Sequence, residues 1–275
     1  MIAVAFCFQS GSALATRVIS SVGIVDALWL RTAIAAVILV ALRPRSLRLP
    51  AKGHRRPIVL LTLSLLGMNL SFYGAISHAP LGIVVAIEFL GPLAVAVIGL
   101  RRKLDFLWVG LALAGVVVLA GPTSSVSAFG LGLSLVAACS WGAFLVLAKR
   151  AVTSMPPLQV TTLMLAGSSV LLTPALAAWG PRMVHHPSAV ALGAAVAVLS
   201  SALPYFVELI ALRLVSAATY GVLLSLEPAV AALMGFVIAG QSLALMELAA
   251  IAAVMIAAAG ASWTSRPRLT GLEVG

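Results

Sequence analysis

Three glutamates and one arginine lie inside long apolar stretches, where an ionisable side chain is a candidate for chemistry. They are Glu88, Glu208, Glu227 and Arg31. An ionised group within hydrocarbon costs about 2.5–3.5 kcal/mol on insertion scales, so each needs a partner or a function. A carboxylate in such a position can bind an ammonium group or carry a proton.

Prolines follow two of these glutamates closely. Glu88 precedes Pro92 by four residues, and proline has no N–H to bond the carbonyl of Glu88. A carboxylate beside a free carbonyl suits an ammonium group or a proton, and the alternative is a protonated glutamate bonded to a neighbouring helix. Glu227 directly precedes Pro228. A functional role and a structural role are equally good interpretations of this glutamate. We expect helix breaks at Pro92 and Pro228.

The other two charged residues have several interpretations each. Glu208 lies near one end of its stretch, where it could pair with Arg213 or lie at the mouth of a pathway. Arg31 could form an ion pair with a membrane carboxylate, bind a substrate carboxylate, or extend outward toward Asp26.

Other polar and aromatic side chains could line a pathway together with these glutamates. For each residue alone, packing between helices is an equal explanation, but Asn69 and Tyr73 are four apart and share one helix face. The predicted substrate and translocation pathway comprises Gln9, Asn69, Tyr73, Glu88, Trp141, Tyr205, Glu208 and Glu227.

Motifs for catalysis, metals or nucleotides are absent from the sequence. Cys7 and Cys139 lie within apolar runs and give neither a disulfide framework nor metal spacing. No His/Cys/Asp cluster has metal-ligand spacing, and no phosphate-binding GxxxxGK[ST] loop occurs. We therefore expect no catalytic residue, no metal and no cofactor, and the sequence predicts that the chain is not an enzyme.

The elements that position these residues are transmembrane helices. Of 275 residues, 62% are hydrophobic and only 9% charged, whereas soluble domains carry about 25% charged residues. Continuous runs of about 20 apolar residues match the helix length that crosses a bilayer. The sequence predicts an all-α integral membrane protein with ten spans, at 1–20, 24–42, 57–77, 80–100, 104–121, 127–148, 157–179, 190–211, 214–239 and 243–263.

Positive charge is concentrated in alternate loops. The net charge is +10, and Lys and Arg cluster at 43–56, 101–103, 149–150, 213 and 266–268. This is the positive-inside pattern, and it predicts cytoplasmic termini and a short cytoplasmic tail at 264–275. The excess of Lys and Arg over Asp and Glu therefore reflects the orientation of the chain in the membrane, and we expect no binding of nucleic acid.

A weak internal repeat relates the two halves, 1–121 and 127–263. Residues 90–96 (LGPLAVA) match 226–232 (LEPAVAA). Five spans per repeat would place the halves in opposite orientations, and many secondary transporters build one midplane site from such inverted repeats.

Small residues mark the fifth and tenth predicted spans. Gly110 and Ala114 are four apart, as are Ala253, Ala257 and Ala261. Such faces let helices approach closely. We expect packing surfaces within the bundle or between protomers, which leaves a homodimer open.

Four stretches of the chain resemble the threonine/homoserine exporters, EamA-type members of the drug/metabolite transporter superfamily. They are residues 77–95 around Glu88, 67–69 (GMN), 200–205 (SSALPY) and 225–229 (SLEPA). The resemblance implies ten helices in two inverted five-helix EamA repeats, with a cavity between the halves. It also implies efflux of small amino acids across the bacterial inner membrane, driven by protons. Helices equivalent to the third, fourth, eighth and ninth would line the route, near Asn69, Glu88, Tyr205, Glu208 and Glu227.

Other functions stay open beside a threonine-like exporter. Family members usually begin with a cytoplasmic lead and a fuller first helix, and this chain starts at Met1 within the first span. Export of other amino acids or small metabolites, such as aromatic amino acids or sulfur metabolites, is the nearest alternative. An accessory membrane subunit without transport, or a membrane-embedded enzyme, is the alternative from another class. The expected partners are an amino acid, protons and the lipid bilayer.

Overall fold

The described residues of the chain fold into helices joined by short turns. The computed structural model describes residues 2–97, 103–121, 125–214, 220 and 223–264, and no strand occurs within these ranges. In chain order the α-helices are α1 (Ile2–Val22), α2 (Ile24–Leu42), α3 (Lys52–Ile76), α4 (Leu81–Glu88), α5 (Leu90–Val97), α6 (Lys103–Leu119), α7 (Ala128–Ser154), α8 (Pro157–Trp179), α9 (Pro187–Ala197), α10 (Leu203–Leu214), α11 (Glu227–Ala239) and α12 (Leu245–Thr264).

Within the part of the chain that the structure describes, six helical segments are long and apolar enough to cross a membrane. They are α2, α3, α7, α8, the continuous segment Pro187–Leu214 that joins α9 to α10, and α12. Shorter apolar helices run over Leu81–Val95, Phe106–Leu119 and Glu227–Ala239. The predicted all-helical class is thus confirmed, and the count of ten crossings stays a prediction.

Helix boundaries follow the apolar runs closely. The predicted segments 24–42 and 157–179 coincide with α2 and α8. The start of the predicted span 214–239 lies partly outside the described residues, as do the end of 80–100 and the tail from 265. Local signals explain several ends: the Ser127 hydroxyl accepts a bond from Gly130 N at the start of α7, and Gly240, with φ 66°, ends α11.

Two of the chain's apolar runs contain a break in the helix, and a third contains a π-helical turn. α4 ends at Glu88 and α5 begins at Leu90, so the interruption at Phe89 precedes Pro92. A turn at 225–226 likewise precedes Pro228, which is the second residue of α11. The missing N–H of a proline frees the carbonyl four residues earlier, which is why each break lies before its proline. A π-helical turn, Val198–Ala202, separates α9 from α10.

The helices pack around a central group formed by α1, α3, α4, α7 and α11. α3 packs on α7 and α8, α1 on α9 and α11, and α4 on α7 and α11. Small residues set the closest crossings: a Cβ on Gly82 would lie 2.8 Å from Ala232 Cα, and one on Gly91 would lie 2.0 Å from Ala138 O. α4 and α5 therefore approach α11 and α7 almost backbone to backbone.

α6 and α12 form a separate pair at the side of the bundle. Ala112, Ala257 and Ala261 are buried between them, and a Cβ on Gly115 would lie 2.9 Å from Ala250 O. Gly110 and Ala114 are exposed. The small-residue face of α6 that meets α12 is thus formed by Ala112 and Gly115 and not by the predicted pair, because the two pairs lie on opposite sides of the helix.

The outer surface of the bundle is apolar. Large hydrophobic side chains such as Val37, Val117 and Phe236 are more than half exposed. Several buried hydroxyls donate to carbonyls of their own helix, as Thr62 does to Ile58 O at 2.9 Å and Ser134 does to Gly130 O at 2.8 Å. Such a surface suits hydrocarbon, where side-chain hydroxyls must find partners within the protein.

Candidate functional site

A small cavity lies at the centre of the bundle, where interrupted and continuous helices meet. Its volume is about 30 Å³, room for about two water molecules. α1, α3, α4, α7, α10 and the stretch leading into α11 contribute its walls. The lining residues are Val4, Phe8, Gln9, Met68, Asn69, Phe72, Val85, Glu88, Trp141, Pro204, Tyr205, Glu208, Leu224 and Glu227.

Glu88 and Glu227 reach the cavity from two helix ends. Glu88 is the last residue of α4 and is 6% exposed, and Glu227 is the first residue of α11. Within the described ranges, neither carboxylate has a hydrogen-bond or ion-pair partner. Glu227 lies close enough to Glu208 and Glu88 to interact with both electrostatically. The breaks before Pro92 and Pro228 thus bring two carboxylates to one small space.

Glu208 is held by a tyrosine. Its Oε1 accepts a hydrogen bond of 2.6 Å from the hydroxyl of Tyr220, and both side chains are buried. Arg213, its expected alternative partner, is exposed. Since residues five apart point in different directions on a helix, Arg213 and Glu208 do not share a face.

Asn69 and Tyr205 join α3 to α10 across the cavity wall. Asn69 Nδ2 donates to Leu65 O at 2.8 Å and lies 3.2 Å from the hydroxyl of Tyr205. The ring of Tyr205 meets Phe8 edge to face, with centroids 5.6 Å apart. These contacts fix one aromatic wall of the cavity.

Gln9 and Trp141 complete the polar and aromatic lining. Gln9 is 1% exposed, and its Oε1 has no hydrogen-bond partner among the described residues. The ring of Trp141 packs edge to face on Phe89, the residue at the α4–α5 break, at 5.6 Å. A buried amide oxygen without a partner is costly unless a ligand group can donate to it.

Arg31 lies behind this wall and is fully buried. Its Nε donates to Ser201 Oγ at 2.5 Å, and its NH2 group donates to Ser200 O at 2.7 Å and to the Tyr205 hydroxyl at 3.2 Å. The sequence left open that Arg31 extends toward Asp26. The carboxylate of Asp26 instead accepts a hydrogen bond from Met183 N at 3.0 Å. No carboxylate in the described part of the chain lies within ion-pair distance of Arg31.

All the predicted pathway residues except Tyr73 line the cavity. Tyr73 shares the helix of Asn69 but packs against Arg31 instead, with Arg31 Cζ 5.4 Å from its ring centroid. The apolar lining residues were not singled out from sequence, although Val4 and Phe8 are four apart and so share a face with each other.

A further buried carboxylate, Glu247, lies outside the cavity. It accepts bonds from Ser125 N at 2.9 Å, Ser125 Oγ at 2.7 Å and Ala244 N at 2.8 Å. These bonds tie the first turn of α12 to the segment before α7, so Glu247 is structural. Among the residues that the structure describes, no group of three or more His, Cys, Asp or Glu could hold a metal ion.

The cavity's chemistry suits a small polar cation or zwitterion. Three carboxylates, two amides and a tyrosine hydroxyl face a space otherwise enclosed by Phe, Trp, Leu, Val, Met and Pro side chains. An ionised carboxylate is costly in such surroundings unless an opposite charge lies beside it or a bound proton neutralises it. An ammonium group or protons would meet that need.

Comparison with known proteins gives this site a family context. The EamA-like transporter family matches residues 128–263. Threonine/homoserine exporter RhtA of Salmonella typhimurium (strain LT2) is 39% identical over 272 residues, which cover 97% of this chain and 92% of the relative. The protein of the same name from Escherichia coli (strain K12) is 38% identical over 262 residues, covering 94% and 88%.

The fold also has a solved counterpart. A protein crystal structure superposes with a TM-score of 0.71 over 98% of this chain and 96% of its own, at 20% identity. That likeness bears on the fold alone. The relatives are bacterial exporters rather than enzymes, and with the apolar helices they identify a multi-pass inner-membrane protein. The chain therefore belongs to the EamA-like transporter family of the drug/metabolite transporter superfamily.

Proposed function

We propose that this protein is a secondary active exporter of small amino acids, of the threonine or homoserine kind, that exchanges them for protons. The observation that carries the proposal is the convergence of Glu88, Glu208 and Glu227 on one central cavity. The relatives named threonine/homoserine exporters, which align over nearly the whole chain, support the choice of substrate.

The carboxylates provide a mechanism for coupling. Three carboxylates in one apolar cavity repel one another and are poorly solvated, so protons accompany them when no substrate is bound. The ammonium group of an amino acid brings the same positive charge. Substrate entering from the cytoplasm would displace a proton from Glu88 or Glu227, and a proton entering from outside would displace the substrate.

The proposed architecture is ten spans in two inverted repeats, 1–121 and 127–263, with both termini in the cytoplasm. Three contacts support a state that is closed on the outer side. Gly82 of α4 packs on Ala232 of α11, and Leu81 N donates to Gln241 Oε1 at 2.9 Å. At the same end, Arg17 donates to Ile238 O at 2.8 Å. Rocking one repeat against the other would separate these contacts.

Substrate entry requires the cavity to widen. A volume of about 30 Å³ holds water but not an amino acid. Among the lining residues, Val4 lies near the start of α1, Glu208 in the second half of the segment Pro187–Leu214, and Leu224 just before α11. These helix ends face the cytoplasm in the proposed topology. We infer that the structure corresponds to a nearly closed state with its narrow opening toward the cytoplasm.

Counterflow in proteoliposomes tests the proposal. Vesicles loaded with unlabelled threonine should accumulate labelled threonine, and homoserine should compete. An acid interior should accelerate uptake, and a protonophore should abolish that acceleration. Competition by leucine or tryptophan would widen the substrate class, uptake insensitive to the gradient would overturn proton coupling, and no uptake by folded protein would overturn amino-acid export.

A further inference from the structure

The guanidinium of Arg31 occupies an unusual position for a buried charge. It is 0% exposed, and the rings of Phe8, Tyr73 and Tyr205 surround it, with centroids 5.7, 5.4 and 5.7 Å from Cζ. A guanidinium stays charged in proteins. A buried positive charge without a carboxylate beside it is costly, so a structural role alone explains it poorly.

Two hydrogen-bond donors at this position lack a well-aligned acceptor. The NH1 group of Arg31 and the hydroxyl of Tyr73 are buried and, within the described residues, neither makes a hydrogen bond of normal geometry, although the two side chains lie close enough to interact with each other. The other nitrogens of Arg31 are bound by Ser201 Oγ and Ser200 O. The π-helical turn supplies the carbonyl of Ser200, and such turns are frequent at functional sites. The guanidinium is thus held in place with one group left free.

The opposite charge lies nearby but not in contact. Glu88 is close enough to Arg31 to interact with it electrostatically, yet the two form no ion pair. Phe8 and Tyr205 contact Arg31 on one side and line the cavity on the other. Rotation of these two rings away from Arg31 would open the guanidinium to the cavity. Arg31 and Glu88 would then face the same space with opposite charges.

We propose that Arg31 and the hydroxyl of Tyr73 bind the carboxylate of a zwitterionic α-amino acid while Glu88 faces its ammonium group. This inference rests on the proposed function and narrows it. A carboxylate offers two oxygens to the two free donors, and its charge compensates the guanidinium. The substrate class is then restricted to molecules with a free carboxylate next to the ammonium group, and amines, amino alcohols and amino-acid amides are excluded.

The test compares threonine with threoninamide and threoninol as competitors of labelled threonine in counterflow. For the unmodified protein we expect competition by threonine alone. Tyr73→Phe removes only the hydroxyl, and should raise the threonine concentration for half-inhibition about tenfold or more while leaving the two analogues as weak as before. Ser134→Ala removes a buried hydroxyl that bonds only its own helix, and should keep the full discrimination.

Arg31→Gln should abolish threonine counterflow, but this variant alone could fail to fold, so Tyr73→Phe decides. Threoninamide competing as well as threonine, or unchanged discrimination in Tyr73→Phe, would overturn the carboxylate site and leave amino-acid export standing. Thermal stabilisation of the detergent-solubilised protein by a panel of α-amino acids and their amides reads the same preference without transport. If the α-amino acids stabilise the protein and their amides do not, but the protein transports no threonine, the exporter proposal is overturned and the carboxylate site is supported.

Discussion

Glu88 and Glu247 are both buried carboxylates, but their surroundings differ completely. Glu88 faces the cavity without a hydrogen-bond partner among the described residues, whereas Glu247 accepts three bonds near the start of α12. Glu88→Gln keeps the size of the side chain and removes its charge. We expect it to insert and fold normally and to lower the initial rate of threonine counterflow at least about tenfold, because an ammonium group loses its charged partner.

Glu247→Gln is the matched control for this prediction. It should destabilise the protein by about 1 kcal/mol, since a neutral amide replaces a carboxylate that accepts several bonds near a helix N-terminus. Transport per folded molecule should be unchanged. Counterflow and thermal unfolding of both variants separate the two roles. Normal transport by Glu88→Gln would contradict the coupling mechanism.

The sequence reveals the polar members of the site but not its apolar walls. Glu88, Glu208 and Asn69 are detectable because each is costly in an apolar helix. Phe8 and Leu224 are ordinary in such a helix, so only the folded structure assigns them to the cavity. The partners of Arg31 were equally hidden, since Ser200 and Ser201 lie about 170 positions away in the chain.

At the level of helices, the length of each apolar run predicted the ends of α2 and α8, because bilayer thickness sets both. The order in which helices pack was not predictable, since lipid-exposed and buried faces are equally apolar here. α6 illustrates this limit. Hydrophobicity does not distinguish the face that carries Ala112 from the face that carries Gly110.

Gly82 marks a close crossing between the two halves. A Cβ there would lie 2.8 Å from Ala232 Cα, which is backbone and cannot move aside. Gly82→Ala should therefore cost about 1–3 kcal/mol through overpacking, and it should weaken the outer closure between α4 and α11. We expect a lower unfolding temperature and slower counterflow.

Gly110→Ala makes the same chemical change on an exposed face of α6, where nothing lies within 4 Å of the added Cβ. Because alanine favours helices more than glycine, this variant should be neutral or more stable by up to about 1 kcal/mol. Equal effects of the two substitutions would show that helix propensity, and not the α4–α11 crossing, determines the result.

For the whole molecule, the proposed architecture of two inverted repeats requires a particular orientation of the loops. The basic loop that includes Arg45 and the end of α7 at Arg150 should both face the cytoplasm, and His185 should face outward. All three residues are exposed.

Single cysteines at these positions, in a chain whose Cys7 and Cys139 are replaced by alanine, can be labelled with a membrane-impermeant maleimide. We expect His185→Cys to react in intact cells, and Arg45→Cys and Arg150→Cys to react only after permeabilisation. Reaction of Arg45→Cys or Arg150→Cys in intact cells would place part of one half in the opposite orientation. The inverted relation between the segments that carry Glu88 and Glu227 would then lose its basis, although both residues would still line the cavity.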